Sequence, residues 1–479
     1  MKTFKLLSAF LLNAILCLNS AHANVGEVYG FGARTMSLGG SQVAWGFDGY
    51  AAYANPAAVS LPAASSTLDQ NKRLTLSWGF VAMEHSFTPI THVVVENNYT
   101  SDKVPARTGN VDLDYRTDFG QALGISYVFL PEWHRLALGI VTYSPINQLA
   151  YLDTGEPFVP EYVYYRSRTQ RPIADFALGS ESWEGLYFGA GLHFAFSLTA
   201  NATIFLETNS AKPSTMRFSS AIKPKFSPYL GLLYAPDAKT QPEKSGSYSV
   251  GAVLRFPATS DNDLTLKSGA RLLGSLPGLD FNFNATSAFY YDPLTVELGT
   301  SVKYSEMARI YLQADYQAWS KFASPPLNIQ NPTVENCQGA PCSSPGVTIS
   351  ASKNPSFTYK DIFIPRIGHE LTFDSWVFRL GYAYRPSFLQ DISSGIGNYL
   401  DPPKHMLNAG VGFKFQHFLI FEVPTSLDFD LSYHQLVNQQ ITKTPGNEAG
   451  DLTDQKIGSP GYTAGGKIYG GSASFTLAL

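Results

Sequence analysis

The residues that most often carry chemistry are scattered along this chain rather than gathered. Nine His and 38 Asp plus Glu are present, but no His-Glu-x-x-His pair and no Gly-x-Ser-x-Gly elbow occurs. Neither a zinc hydrolase nor a serine acyl-transfer arrangement is therefore contained in one segment. Asp428, Asp430 and His434 fall on one face of an alternating stretch, where a wetted strand surface accounts for them. Gly30-x-Gly32 lacks the third glycine of a dinucleotide loop. Cys337 and Cys342 lie in a loop-forming Asn-Cys-Gln-Gly-Ala-Pro-Cys-Ser-Ser run, spaced for a local disulfide in an oxidising compartment. No His or second Cys pair stands near enough in sequence to complete a four-ligand metal site. No metal, cofactor or enzymatic activity is expected. What remains is binding chemistry. Between 145 and 185, Phe158, Tyr162, Tyr164, Tyr165 and Phe176 are interleaved with Arg166, Arg168 and Arg171. Aromatic rings can hold an acyl chain and Arg can pair its carboxylate, while Arg in a loop also serves simply to meet phosphates outside the protein. Leu276, Leu279, Phe281, Phe283, Phe289 and Tyr290 supply a second wall for such a groove, or else a hairpin that faces lipid. Both readings stand for each segment.

Composition decides what can position them. Of 479 residues only 15% are charged, against about 25% in soluble domains, and 14% are aromatic. Beyond the first residues no uninterrupted apolar run reaches about 18, the length a helical span needs. Low charge, many aromatics and no long apolar run suit a transmembrane β-barrel, whose strands are apolar only at alternate positions. Residues 1–23 read as a cleavable export signal: Lys2 and Lys5, an apolar core from Leu6 to Leu18, and Ala21-His22-Ala23 before Asn24. Cys17 follows Leu16 inside that core, which is the wrong context for lipidation. Removing two Lys and no acids takes the net charge from −4 to near −6, and no basic domain suggests nucleic acid.

Alternation is clearest after Met307, where Ala308, Ile310, Leu312, Ala314 and Tyr316 oppose Arg309, Tyr311, Gln313 and Asp315. Leu427, Phe429, Leu431 and Tyr433 likewise oppose Asp428, Asp430, Ser432 and His434. Apolar outside and polar inside is the pattern a closed membrane barrel requires, because lipid accepts no unpaired strand edge. Fourteen strands are predicted at 74–84, 119–129, 135–144, 186–197, 203–209, 226–235, 246–256, 294–304, 307–320, 361–373, 376–385, 405–416, 426–436 and 467–479. Short connections alternate with long ones, and an even count leaves both termini periplasmic. The segment 257–293 could hide a further hairpin, which keeps sixteen strands open. The chain ends in Leu479, where many outer-membrane barrels end in an aromatic.

Gly30 to Ser60 fits none of this: it is small-residue, apolar and nearly charge-free, and needs an enclosed place. Gly30, Gly32, Gly39 and Gly40 suit tight packing or positive φ; Asn55-Pro56-Ala57, taken alone, is an ordinary turn. Gly32-Ala33-Arg34, Leu38-Gly39-Gly40 and Asn55-Pro56-Ala57 are followed by ADYQAWSKF from Ala314, IPRIGHEL from Ile364 and WVFRLGYAYRPS from Trp376. In that order along one exported chain, these motifs resemble the FadL/TodX family of outer-membrane transporters for long-chain fatty acids and aromatic hydrocarbons. The resemblance implies an all-β, fourteen-stranded antiparallel transmembrane barrel over 74–479, with 24–73 folded inward as a hatch. Gly30, Gly32, Arg34, Gly39, Gly40, Asn55, Pro56 and Ala57 would be the hatch and gating residues. It further implies a monomer in the outer membrane, contacting lipid and lipopolysaccharide, that collects a hydrophobic small molecule at its outer loops, passes it the hatch and releases it laterally. A general diffusion porin with an anchoring tail, and a surface receptor or adhesin, are the alternatives.

Overall fold

The computed structural model describes residues 29–46, 48–61, 73–96, 107–111, 117–130, 135–146, 172–207, 215–238, 244–271, 279–322, 328–335, 358–390, 400–415, 423–443, 458 and 460–479. Nineteen strands are formed there: β1 (Leu74–Phe87), β2 (Val93–Glu96), β3 (Arg107–Gly109), β4 (Asp118–Leu130), β5 (Leu136–Pro145), β6 (Ile173–Trp183), β7 (Leu186–Glu207), β8 (Thr215–Tyr234), β9 (Tyr248–Arg255) and β10 (Ala258–Arg271). They continue with β11 (Leu279–Asp292), β12 (Thr295–Lys303), β13 (Ala308–Gln317), β14 (Asn328–Glu335), β15 (Ile362–Phe373), β16 (Trp376–Arg385), β17 (Lys404–Phe415), β18 (Thr425–Thr442) and β19 (Gly461–Ala478). Fourteen of them, β1, β4 to β9, β12, β13 and β15 to β19, pair antiparallel with their neighbours, and β19 returns to β1 to close the barrel. The seam is bonded to its end: Leu479 N–H donates to the Leu74 carbonyl at 2.7 Å, and Arg73 and Leu74 N–H both donate to the Leu479 carbonyl at 3.0 Å.

Side-chain alternation gives the wall its two faces. On β18, Leu431 is 74% exposed and Phe429 48%, while Asp428, Asp430, Ser432 and His434 between them are buried. On β13, Leu312 and Tyr316 point out and Arg309, Gln313 and Asp315 point in. Exposed Trp183, Tyr304, Phe373 and Trp376 gather beside the short connections, as aromatics do at a membrane interface. Full closure leaves no wall strand with an unpaired edge in the apolar layer, which is what lipid demands.

The count of fourteen matches expectation, but two of the strands differ. Ile173–Trp183 is a wall strand inside what the sequence presented as a long outer connection. Its alternation is real, with Phe176 and Leu178 exposed against buried Asp175, Ala177 and Glu181, so Phe176 faces outward and not into a binding groove. Conversely, 203–209 is no separate strand, because β7 runs unbroken to Glu207 through 198–202, the gap left between the predicted strands 186–197 and 203–209. Beyond the lipid layer a strand is released from the apolar-out rule, so polar residues there do not signal a break. The hairpin suspected in 257–293 exists as β10 and β11, yet it adds nothing to the wall. β9 bonds directly to β12, while β10 pairs in parallel with the far half of β7, and β11 carries β14. Sixteen wall strands are therefore excluded.

Candidate functional site

Residues 29–46 and 48–61 cross from one side of the ring to the other on the inner face of the wall. They form helix α1 (Ala33–Ser37), helix α2 (Ala51–Ala54) and a 3-10 turn at Pro56–Ser60. α1 packs against β16 to β19, whereas α2 and the 3-10 turn pack against β4 to β8, about half the ring away. Almost every side chain between them is buried. Ala in α2 and the 3-10 turn, and Gly in the links between the helices, are what this location selects, since small residues let backbone approach a strand.

Asn55 is the central tie. Its side chain is 0% exposed and makes three hydrogen bonds. Oδ1 accepts from Ala57 N–H at 3.0 Å, capping the 3-10 turn in which Pro56 takes the first position. Nδ2 donates to the Val43 carbonyl at 2.8 Å within the segment and to the Leu232 carbonyl of β8 at 3.1 Å. One amide therefore fixes a turn, a neighbouring loop and the wall.

Wall side chains hold the segment's other backbone groups. Tyr229 OH donates to the Ala52 carbonyl at 2.7 Å, Ser249 Oγ to that of Ala44 at 2.6 Å, Arg366 Nη1 to that of Gly39 at 2.9 Å and Arg135 Nε to that of Ser60 at 3.0 Å. Arg255 donates to the Tyr53 carbonyl. Gln313 Oε1 accepts from Gln42 and Val43 N–H at 2.9 and 3.1 Å, and Ser77 Oγ from Gly49 N–H at 2.8 Å. The segment's own cation, Arg34, meets Glu370 at 3.2 Å and the Tyr311 hydroxyl at 3.1 Å. Glu370 is shared with Arg379, which also binds Asp428 at 2.6 Å. Burial pushes the Asp48 carboxyl above the ordinary carboxylate range, against the opposing pull of Arg34.

The wall makes room by omitting side chains. Gly179, Gly189 and Gly231 stand directly opposite one another across β6, β7 and β8. A Cβ on Gly189 would lie 2.2 Å from the Pro56 carbonyl carbon, and one on Gly231 would lie 2.1 Å from Asn55 Oδ1. Across the ring, Gly368 faces Gly381, and a Cβ on Gly381 would lie 2.1 Å from Gly39 N. Gly39 and Gly40, with φ of 66° and 80°, turn the chain in the left-handed region at this contact.

Above the segment, toward the long connections, lies a cavity of about 280 Å³, just under the ~300 Å³ at which small-molecule pockets begin. Met36, Gly39, Gly40, Gln42 and Tyr53 form part of its lining, and Tyr291, Trp319, Phe388 and Leu400 give it apolar walls. Trp319 stacks on Phe388 at 4.4 Å between ring centroids and Tyr291 on Phe322 at 4.3 Å. The turn bearing Trp319 is tied to Asp361, which accepts from Tyr316 OH at 2.6 Å and Ser320 N–H at 2.8 Å; these bonds hold its carboxyl below the ordinary range. Arg255, Gln313 and Arg366 line the cavity and bond the segment at the same time.

The structure brings Gly30, Gly39 and Gly40 to the cavity lining, places Gly32 against Tyr50 and Arg34 against Glu370, and sets Asn55, Pro56 and Ala57 against the β6 to β8 glycines. Phe281, Phe283 and Phe289 belong to β11, on the sheet extension outside the wall. Phe158, Tyr162, Tyr164, Tyr165, Arg166, Arg168, Arg171, Cys337 and Cys342 lie outside the described residues, as does the leader. Sequence reasoning missed the wall anchors Tyr229, Arg255, Gln313 and Arg366. It also passed over the inward-facing glycines, whose signal is a Gly on the polar face of a strand.

No protein-family model matches the chain. Alkane uptake protein A of Marinobacter nauticus is 24% identical over 298 residues, covering 62% of this chain and 60% of that protein. The likeness therefore spans less than two-thirds of the relative's length. Among solved structures, a Pseudomonas aeruginosa FadL homologue superposes with a TM-score of 0.52 at 13% identity, covering 95% of this chain and 99% of that one. The toluene transporter TodX of Pseudomonas putida gives 0.52 at 12% identity, over 95% and 99%. At such identities the structural likeness establishes the fold.

Proposed function

We propose that this chain, whose barrel shares the fold of a FadL homologue and of TodX, carries hydrophobic compounds passively across the outer membrane. Residues 24–73 act as the hatch, following a cleaved leader at 1–23, and 74–479 form the conduit. Cargo gathers at the long outer connections, enters the aromatic-walled cavity, passes when the hatch loosens, and leaves laterally through the wall. Both termini are periplasmic, the protein works as a monomer, and no bond is made or broken in the cargo. The relative named for alkane uptake and the fold shared with a toluene transporter support this reading.

One observation carries it: the cavity's lining includes the segment that crosses the ring, and Arg255, Gln313 and Arg366 contact both. Whatever fills the cavity presses on the bonds that hold the segment. Apolar cargo is driven there by removal of its surface from water, about 25 cal/mol per Å². Phe158, Tyr162, Tyr164 and Tyr165 are proposed as the first collecting surface, with Phe281, Phe283 and Phe289 as its second wall and Cys337–Cys342 as a local disulfide. Arg166, Arg168 and Arg171 serve either lipopolysaccharide phosphates or a cargo carboxylate. Changing all three to Ala separates these roles, because only the second predicts a larger loss for acids than for hydrocarbons.

The test is uptake of labelled hydrocarbon by cells with and without the protein, alongside single-channel recording of the purified barrel. Protein-dependent uptake with a closed resting state is expected. Steady conduction of small ions without hydrocarbon uptake would make it a diffusion porin.

A further inference from the structure

We infer that the cavity accepts a neutral hydrocarbon and discriminates against a carboxylate, a conclusion that rests on the uptake reading and narrows its cargo. A cavity meant for a fatty-acid anion would hold a cation in reserve. This one holds its cations already committed. Arg255 binds Glu297 at 2.6 Å, Arg366 binds Asp315 at 2.7 Å and Arg385 binds Asp401 at 2.7 Å, every partner being a cavity-lining residue. Asp401 is held by both oxygens, the second accepting Phe388 N–H at 2.8 Å. Lys404, the fourth cation of the lining, is engaged as well. Asp292 is the fourth carboxylate of the lining, so positive and negative charges among these residues balance at four each. His193 stands between Asp175 at 2.6 Å and Asp292 at 3.7 Å, so a charge on its ring would be answered twice by the protein.

These pairs are mostly shielded from water, with side-chain exposures between 6% and 21%. An entering carboxylate must either stay unpaired in that setting or take an Arg from its partner. The second course only moves the problem, because it leaves Asp315, Glu297 or Asp401 buried without its cation. It would also draw Arg255 or Arg366 off the segment carbonyl that each holds. A neutral chain meets neither cost and gains the contacts of Tyr291, Trp319 and Phe388.

Equilibrium binding of labelled dodecane, methyl dodecanoate and dodecanoate to the full-length protein in nanodiscs, corrected for empty nanodiscs near neutral pH, tests this. The ester controls for the polar head without its charge. Dodecane and the ester should bind within about threefold of each other, and dodecanoate at least about tenfold more weakly. Asp401→Asn frees the Arg385 charge and should narrow the dodecanoate-to-dodecane ratio by about tenfold; if that variant fails to assemble, Glu297→Gln frees Arg255 to the same end. Wild-type protein that binds dodecanoate as tightly as dodecane overturns the inference and leaves the uptake reading standing. So does a ratio unmoved in a folded variant. Failure of all three probes to bind removes the uptake reading, and this inference with it.

Discussion

Replacing Asn55 by Ala removes three hydrogen bonds from a group that water does not reach. Loss of the cap on Ala57 N–H costs about 1 kcal/mol. The Val43 and Leu232 carbonyls each lose a donor; at about 1 kcal/mol apiece, the low end for buried groups because a carbonyl keeps a second lone pair, these add ~2 kcal/mol. Two of these bonds fold the segment and the third holds it to the wall, so its folded, docked conformation is weaker by about 3 kcal/mol, which raises the population that has left that conformation roughly 100-fold. The barrel is spared, since Asn55 bonds no two strands to each other. Asn55→Ser separates the contributions: Ser caps as well as Asn but is too short to bridge both carbonyls, so about 2 kcal/mol and roughly 30-fold are expected. Single-channel recording in planar bilayers reads the open frequency, and heat-dependent gel mobility shows that the barrel has assembled. Opening should rise from wild type to Ser to Ala. An assembled Ala variant that opens no more often than wild type would refute the reasoning.

Three further outcomes follow from the same contacts. Gly189→Val drives a Cβ to 2.2 Å from the Pro56 carbonyl carbon while suiting a strand; proteolysis should cut within 29–61 in an otherwise resistant barrel, and unchanged protection would count against close docking. Tyr229→Phe takes the hydroxyl from the Ala52 carbonyl, at a cost of about 1 kcal/mol; hydrogen exchange over 51–60 should quicken less than in Asn55→Ala. Asp361 has its carboxyl held low by Tyr316 and Ser320, so its contribution is present above the unfolded value of about 3.9 and lost as pH falls through the lower folded value. Trp319 fluorescence, with Trp319→Phe as blank, should hold steady to mildly acidic pH and change only below about pH 4; a change near neutrality would show that another group controls the turn.

Period-two alternation made the wall legible because lipid enforces it residue by residue, as β13 and β18 show. It failed where lipid no longer reaches. β7 continues past Ser197 with polar residues that read as a turn, and β10 and β11 form a real hairpin that belongs to no wall. β6 was hidden for another reason, since its Phe176 and Leu178 follow an aromatic and Arg-rich stretch that drew attention as a loop. The need of Gly30–Ser60 for enclosure was legible from its composition, and Asn55-Pro56-Ala57 stood out only through the family resemblance. The partners of that motif were not legible. Gly189, Gly231, Tyr229 and Arg366 are brought to the segment by register and barrel closure, which act over hundreds of residues and leave no local pattern.

The central claim is that cargo passes only when the segment moves, and tethering the segment to the wall tests it most directly. A Cβ added at Gly299 would lie 3.5 Å from the Cβ of Val43, at the short edge of the disulfide range of about 3.5–4.5 Å. With Val43→Cys and Gly299→Cys combined, hydrocarbon uptake into cells should stop on oxidation and return on reduction, while each single variant transports throughout. Full uptake through the oxidised, cross-linked protein would show that passage does not require the segment to move.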